Sequence, residues 1–210
     1  RALLSKDATI REIHHRVKNN LQTVAALLRL QARRTGNTEA RQALAEAVRR
    51  VTSIALVHEA LSMSVDEEVD LDDVVDRLIP IVVDVAAVGS QVRVRREGSL
   101  GVFPAERATP LVMVLTELVQ NSVEHAFDPG AAGTVTLRAE RSARWLDVVV
   151  HDEGKGLPEG FDLESSDRLG LQIVRTLVAA ELGGTLRLER GATTGTDARL
   201  RVPLGRVTLG

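Results

Sequence analysis

The sequence predicts a two-part chain of class α plus α/β: a helical hairpin over residues 1–66, then a mixed-sheet α/β sandwich over residues 67–210. Three observations predict it. Before residue 64 the apolar residues recur only at helical spacing; the acidic stretch Ser64-Val65-Asp66-Glu67-Glu68 interrupts that pattern; after it, short alternating runs interleave with helical ones. A length of 210 residues suits two small domains.

The first helix is read from Ile10 to Leu30, where Ile10, Val17, Leu21, Val24 and Leu28 fall on one stripe. Thr35-Gly36-Asn37 breaks it. A second run from about Thr38 to Met63 carries Leu44, Val48, Val51, Ile54 and Leu61 on its own stripe. Two amphipathic helices joined by a tight turn make a hairpin, and a lone hairpin leaves apolar faces in water. Two chains are therefore expected to pair into a four-helix bundle. Beyond the acidic break, helix is predicted from Leu71 to Ala87, a strand near Val92 to Arg96, and a long helix from Ala105 to Ala126 that Asp128-Pro129-Gly130 stops. Strands follow at Thr134 to Glu140 and Leu146 to His151. A helix from Leu169 to Leu182 ends at Gly183-Gly184, and strands at Thr185 to Glu189 and Asp197 to Val202 complete an open mixed sheet with helices on one face.

Composition narrows the function. Hydrophobic residues make up 44% and charged residues 27%, enough for real cores. The formal charge of −2, from 27 basic and 29 acidic residues, gives no global field toward nucleic acid or an anionic membrane. With no cysteine, disulfides, thiolate metal sites and thiol nucleophiles are excluded, and a reducing, cytoplasmic location is expected. No apolar run reaches the roughly 18–20 residues of a membrane-spanning helix. The chain opens at Arg1 in mid-pattern, so a fragment lacking an upstream input region is expected.

The first candidate site is Glu12-Ile13-His14-His15-Arg16-Val17-Lys18-Asn19-Asn20-Leu21-Gln22. Extending the stripe back from Val17 and Leu21 lands on His14, so His15 stands about 100° round the helix and nearer solvent. His15 is thus the better nucleophile, with His14 the second choice, because a neutral imidazole carries a lone pair near neutral pH. Glu12 and Asn19 lie one turn to either side. Glu12 could orient the ring, and Asn19 could position a phosphoryl group or a hydrolytic water. His58, without such company, is read as a surface or packing residue.

The second candidate site comes in three boxes. In Thr116 to Ala126, the residues Glu117, Asn121 and His125 recur every four positions on one helix face. The Asn121 amide oxygen suits Mg²⁺; Glu117 could hold a metal-bound water or act as a base; His125 could contact phosphate. Asp152-Glu153-Gly154-Lys155-Gly156 follows a strand, where Gly154 and Gly156 allow a sharp turn and Asp152 can accept a hydrogen bond from an adenine amino group. Gly170 and Leu171, in Leu169-Gly170-Leu171-Gln172-Ile173-Val174, open a helix whose free amides can hold phosphate. Lys155 could reach a phosphate but is read as a solvated loop lysine.

The stretch Glu12 to Gln22 resembles the phosphoacceptor box of the histidine kinase subgroup whose first helix reads His-Arg-Val-Lys-Asn and then Leu-Gln. The three later boxes resemble, in order and spacing, the N, G1 and G2 boxes of the GHKL (Bergerat) ATPase fold. That fold is shared by histidine kinases, type II topoisomerases, mismatch-repair ATPases and a heat-shock chaperone family. The resemblance implies a dimerisation and histidine-phosphotransfer hairpin followed by a catalytic ATP-binding domain. It implies phosphorylation of His15, ATP with Mg²⁺ through Asn121, adenine recognition by Asp152 and a supporting contact from Thr196. It also implies a homodimer that passes phosphoryl groups to an aspartate of a response-regulator receiver domain. Likeness to actinobacterial soluble sensor kinases implies a regulator with an RNA-binding antitermination output. The sequence departs from the pattern in Arg168-Leu169-Gly170, where many relatives have Gly-x-Gly, and in having no separate phenylalanine box; the stretch Leu157 to Asp167 predicts a small lid. A GHKL ATPase clamp would need a longer lid and further domains. A serine kinase of the anti-sigma type, or a nucleotide-binding scaffold, would not need the histidine box.

Overall fold

The structure is a computed structural model that describes residues 2–62, 68–86 and 91–205, with the side chains of 2–8, 10 and 11 outside the description. It divides into two compact units, Arg1–Val69 and Asp70–Gly210. The acidic break lies mostly outside the described residues.

The first unit is a hairpin of α1 (Ala2–Arg34) and α2 (Thr38–Ser62). Arg33 and Arg34 place positive charge on the last turn of α1, where free carbonyls leave partial negative charge. Asn37 then caps α2: its Oδ1 accepts from the N–H of Glu39 at 2.9 Å and of Ala40 at 3.2 Å. The break at Gly36-Asn37 is therefore a stop for one helix and a start for the next. The seam of α1 differs from the expected stripe in two places, with Lys18 standing for Val17 and Ala25 for Val24. Ala25 is buried while Val24 is 43% exposed, so the inward line runs through His14, Lys18, Leu21, Ala25 and Leu28. That spacing averages 3.5 residues, the repeat of paired helices, rather than the 3.6 of an isolated one.

The second unit is a five-stranded sheet carrying three helices. Its helices are α3 (Leu71–Ala86), α4 (Ala105–His125) and α5 (Leu169–Leu177), the last continued by a π-helical turn over Val178–Leu182. The sheet holds β2 (Gln91–Gly98), β4 (Ala132–Arg141), β5 (Trp145–Asp152), β6 (Thr185–Arg190) and β7 (Thr196–Pro203) in the order β2-β4-β5-β7-β6. Strand β2 runs parallel to β4 and the other pairs are antiparallel. Two three-residue strands, β1 (Glu68–Asp70) and β3 (Val102–Pro104), form a separate ribbon. They were not anticipated, because three residues are too few to display an alternation.

Burial follows the pleat. Leu146, Val148 and Val150 of β5 and Ala198, Leu200 and Val202 of β7 are buried, while Arg199 and Arg201 between them are exposed. The core is closed by α3, through Leu71, Val74, Val75, Leu78, Ile79 and Val82, and by α4, twelve of whose residues are buried. Polar clamps fix the helices. Arg96 of β2 donates to both oxygens of Asp76 at 2.7 Å, and Asp72 accepts from the Leu100 N–H at 2.8 Å, tying α3 to the sheet. Arg107, in the first turn of α4, donates to the carbonyls of Leu182 at 3.2 Å and Pro203 at 2.7 Å. The start of α4 is thereby held against the ends of two later elements. Among the described residues no helix is long and apolar enough to cross a membrane.

Leu111, with 0% exposure on α4, tests this core. Leu111→Ala should destabilise the chain by about 2–5 kcal/mol, read as a lower urea midpoint at unchanged slope.

Candidate active site

On α1 the two adjacent histidines take different surroundings. His15 is exposed; His14 is half-buried, its Nδ1 3.0 Å from the Nδ1 of His58 on α2. The expected outward placement of His15 is what the geometry gives. Glu12, expected beside His15, instead accepts from Arg16 Nε at 2.8 Å, in an exposed pair four residues apart. Asn19 is exposed, one turn after His15. Burial lowers the pKa of both His14 and His58, reinforced by the neighbouring imidazoles. Both rings therefore favour the neutral form more than a free histidine does.

The second unit contains a pocket with about 630 Å³ of empty space, part of it open to solvent. Ligand pockets of roughly 300–1,000 Å³ hold molecules of nucleotide size. Its floor is the end of α4, the end of β5 and the start of β7. Asn121, His125, Asp152, Gly156, Leu171 and Thr196, all foreseen, line it. Glu117, one turn before Asn121, is 7% exposed and is not among the lining residues. The stripe Glu117-Asn121-His125 thus runs from the helix's buried stretch out to the pocket, and is no solvated face. Gly154 and Gly170 also stand behind the lining.

Asp152 is the centre of the arrangement. It is 3% exposed at the last position of β5, and its Oδ1 accepts from the N–H of Gly154 at 3.0 Å and of Thr196 at 3.1 Å. Burial pushes its carboxyl above the usual carboxylate range, opposed by those two N–H groups, by His151 and by a hydrogen bond from the Ser122 hydroxyl. With Oδ1 held by the backbone, Oδ2 is the oxygen left to accept from a ligand. Two glycines make this fit possible. A Cβ on Gly154 would stand 2.1 Å from the Ala126 carbonyl oxygen, and one on Gly195 would stand 1.7 Å from that of Asp152. Gly195 also has φ +71°, a conformation glycine takes without strain.

Several lining residues were not assigned by sequence reasoning. Ser122 stood inside the N-box stretch with no role, because nothing local says it meets a residue thirty positions on. Phe161 was also given no role, since no separate phenylalanine box stands between the second and third boxes. It is a single ring in the loop from Leu157 to Arg168, and it joins Leu157 and Pro158 on the rim. Arg168, noted only as a departure from glycine, precedes the first turn of α5 and also lines the pocket. Lys155 lines it too; its ammonium lies 3.7 Å from Asp128 and is largely solvated, as expected.

The donor set suits a nucleotide with a hard cation. Asn121 supplies a carboxamide on the pocket wall and Glu117 a buried carboxylate one turn deeper, while no cluster of three or more His, Cys, Asp or Glu able to hold a metal occurs among the described residues. So few protein ligands fit a cation that arrives on the phosphates rather than one held in a protein cage.

An open mixed sheet covered by helices, with an aspartate at a strand end and an asparagine on the facing helix, defines an ATPase domain of the kind found in histidine kinases. Comparison with known families agrees. Residues 12–85 match the family model described as histidine kinase, and residues 106–206 match that described as histidine kinase-, DNA gyrase B- and HSP90-like ATPase. The chain belongs to the histidine kinase family. It is similar to the sensor histidine kinase PdtaS of Mycobacterium tuberculosis, with 72% identity over 207 residues, covering 98% of this chain and 41% of that protein. The chain therefore spans about two fifths of that relative's length. Among solved structures it is similar to the histidine kinase domain of a blue-light activated histidine kinase from Erythrobacter litoralis, with TM-score 0.65, 28% identity and coverage of 97% of this chain and 94% of that one. It is also similar to the ATP-binding domain of PrrB from Mycobacterium tuberculosis, with TM-score 0.53, 25% identity, and 67% of this chain and 100% of that one covered.

The Asp152 environment yields a pH dependence. The carboxylate form is lost as pH falls through its raised pKa, so if its free oxygen accepts from a ligand amino group, affinity for an adenine nucleotide should weaken from neutral toward acidic pH. Asp152→Asn should lower affinity by about tenfold or more at neutral pH, in line with roughly 1.5–3 kcal/mol for a hydrogen bond to a charged group, with the difference shrinking toward acidic pH as the pH dependence flattens. Calorimetric titration with ADP between pH 5 and 8 measures both.

Proposed function

We propose that this chain is the catalytic core of a two-component sensor kinase: it binds ATP in the α4–β5–β7 pocket and phosphorylates His15. The observation that supports this best is the pairing, in one chain, of an exposed histidine inside the Glu12–Gln22 box with a pocket built round a buried, backbone-held aspartate.

In this reading Asp152 Oδ2 accepts from the adenine amino group, with Ser122 and the N–H groups of Gly154 and Thr196 keeping the carboxylate in place. Leu118, Val150, Leu171, Leu188 and Ala198 give the base an apolar slot. The free amides opening α5 at Gly170 and Leu171, together with Arg168 and His125, face the phosphates. Mg²⁺ would be held through the Asn121 amide oxygen, with Glu117 reaching it through water, and would neutralise charge on the transferring phosphoryl group. His15 attacks the γ-phosphorus of ATP with an imidazole lone pair as the bond to the β–γ bridging oxygen breaks and ADP leaves, and Asn19, one turn along, positions the incoming group. Glu12 can orient the His15 ring only by giving up Arg16. The product is a phosphoramidate, labile enough to pass its phosphoryl group to an aspartate of a response-regulator receiver domain. The likeness to PdtaS-type kinases favours a regulator with an RNA-binding antitermination output, and a cytoplasmic location suits both ATP and such a partner.

The hairpin also supports a homodimer. Ile13, Val24, Leu27 and Leu30 are 54%, 43%, 58% and 43% exposed on α1, outside its seam with α2. A second hairpin laid on this line would bury them and complete a four-helix bundle.

Phosphate incorporation from γ-labelled ATP with Mg²⁺ tests the reading. Acid-labile, base-stable label should appear on the unmodified chain, persist in His14→Gln and fall by at least about 100-fold in His15→Gln, the scale on which loss of a reacting group is felt. Label lost in His14→Gln and kept in His15→Gln would move the acceptor to His14.

A further inference from the structure

His58 is a histidine for which the reaction proposed above has no use, yet it makes the main side-chain contact of His14. The two rings approach with Nδ1 to Nδ1 at 3.0 Å, centroids 5.2 Å apart and planes tilted by 43°. Two nitrogens at that separation can share one proton: one ring donates and the other accepts. Two imidazolium rings would set donor against donor, and like charge against like, at hydrogen-bond distance.

This contact sits at a mechanically sensitive place. His14 and His15 are successive residues of one continuous helix, so whatever fixes the azimuth of His14 fixes that of His15. One turn on, Lys18 of α1 is ion-paired with Glu59 of α2, next in sequence to His58. The hairpin is thus bolted across its seam at positions 14 and 18, above Leu21 and Ala25. Among the described residues, His15 acts electrostatically on His14, and the ion-paired Lys18 of α1 and Glu59 of α2 follow one turn on. Of the two bolts, the histidine pair is the one whose hydrogen bond requires a ring nitrogen to stay unprotonated.

We propose that His14 and His58 form a single-proton latch between α1 and α2, with His58 a positioning residue that sets the rotation of α1 and so the presentation of His15. This rests on the reading of His15 as phosphoacceptor. The latch is closed in its neutral and singly protonated forms, in each of which one ring donates and the other accepts; it opens when both rings carry the extra proton, on the acid side of about pH 6.5, the ordinary histidine value. The same linkage makes the folded hairpin bind fewer protons than the unfolded chain, so its stability falls as pH drops through that value.

The test uses His58→Asn and His58→Phe in the full chain. Asparagine can still accept from His14, neutral or protonated, whereas phenylalanine cannot. Initial rates of His15 labelling should fall more steeply between pH 7.5 and 5.5 in the unmodified protein than in His58→Asn, by at least about fivefold, since misplacement by an ångström costs up to about 100-fold. His58→Phe should be slow at both pH values with an unchanged KM for ATP, because His58 acts on kcat alone. Histidine ring ¹⁵N resonances give a readout independent of activity: His14 should titrate at a higher pH in His58→Asn than in the unmodified protein. Labelled His15 with the same pH profile in all three proteins overturns the latch alone. Ring shifts that show the shared proton, with no His15 label in any protein, overturn the phosphoacceptor reading and the positioning role with it.

Discussion

A carboxylate taken out of water must have its oxygens hydrogen-bonded, and in the larger unit that requirement falls on Asp152. Its partners come from places far apart in the chain: Gly154 just beyond β5, Thr196 at the start of β7, and Ser122 on α4. Satisfying one side chain therefore fixes the ends of two strands and a helix relative to one another. The glycines at 154 and 195 belong to the same constraint, since a Cβ at either would collide with backbone carbonyls. The Arg107 clamp does similar work at the opposite end of α4, where it closes on the carbonyls of Leu182 and Pro203. Between these two anchors α4 is held along its length, and the pocket stands at the anchored end nearest Asn121 and His125.

The hairpin solves a different problem. Helix α1 carries apolar residues on two lines, one through Leu21, Ala25 and Leu28 toward α2 and one through Ile13, Val24 and Leu27 toward solvent in the single chain. A helix with two apolar lines needs two neighbours. His14 lies on the first line and His15 beside it, so the packing that holds the helix also decides which imidazole meets solvent. The interhelical His14–His58 and Lys18–Glu59 contacts make that choice specific where apolar contact alone would tolerate small rotations.

The two units answer to acid in different ways, which gives pH diagnostic value. In the pocket, burial makes Asp152 easier to protonate and removes a ligand acceptor. On the hairpin, burial makes His14 and His58 harder to protonate than a free histidine. Binding measurements report the first and transfer measurements the second, so the effects separate.

What the sequence determined by itself was everything set by residues within a few positions of each other. The helices of the hairpin, the break at Thr35-Gly36-Asn37, the stop at Gly183, the alternation of β5 and β7, and the three ordered boxes are all local patterns, and the order of the longer elements follows from them. Val24 marks the limit: at a spacing of threes and fours it fits the same stripe as Leu21 and Leu28, and only packing against α2 selects Ala25 instead. The tertiary structure alone decided that Asn121 and His125 reach the pocket while Glu117 stays behind it. It brought Ser122 and Phe161 to the site and set His14 against His58 forty-four residues away. The physical reason is that hydrogen bonding and close packing act over a few ångströms in space, whereas periodicity records only which way a side chain leaves its own helix or strand.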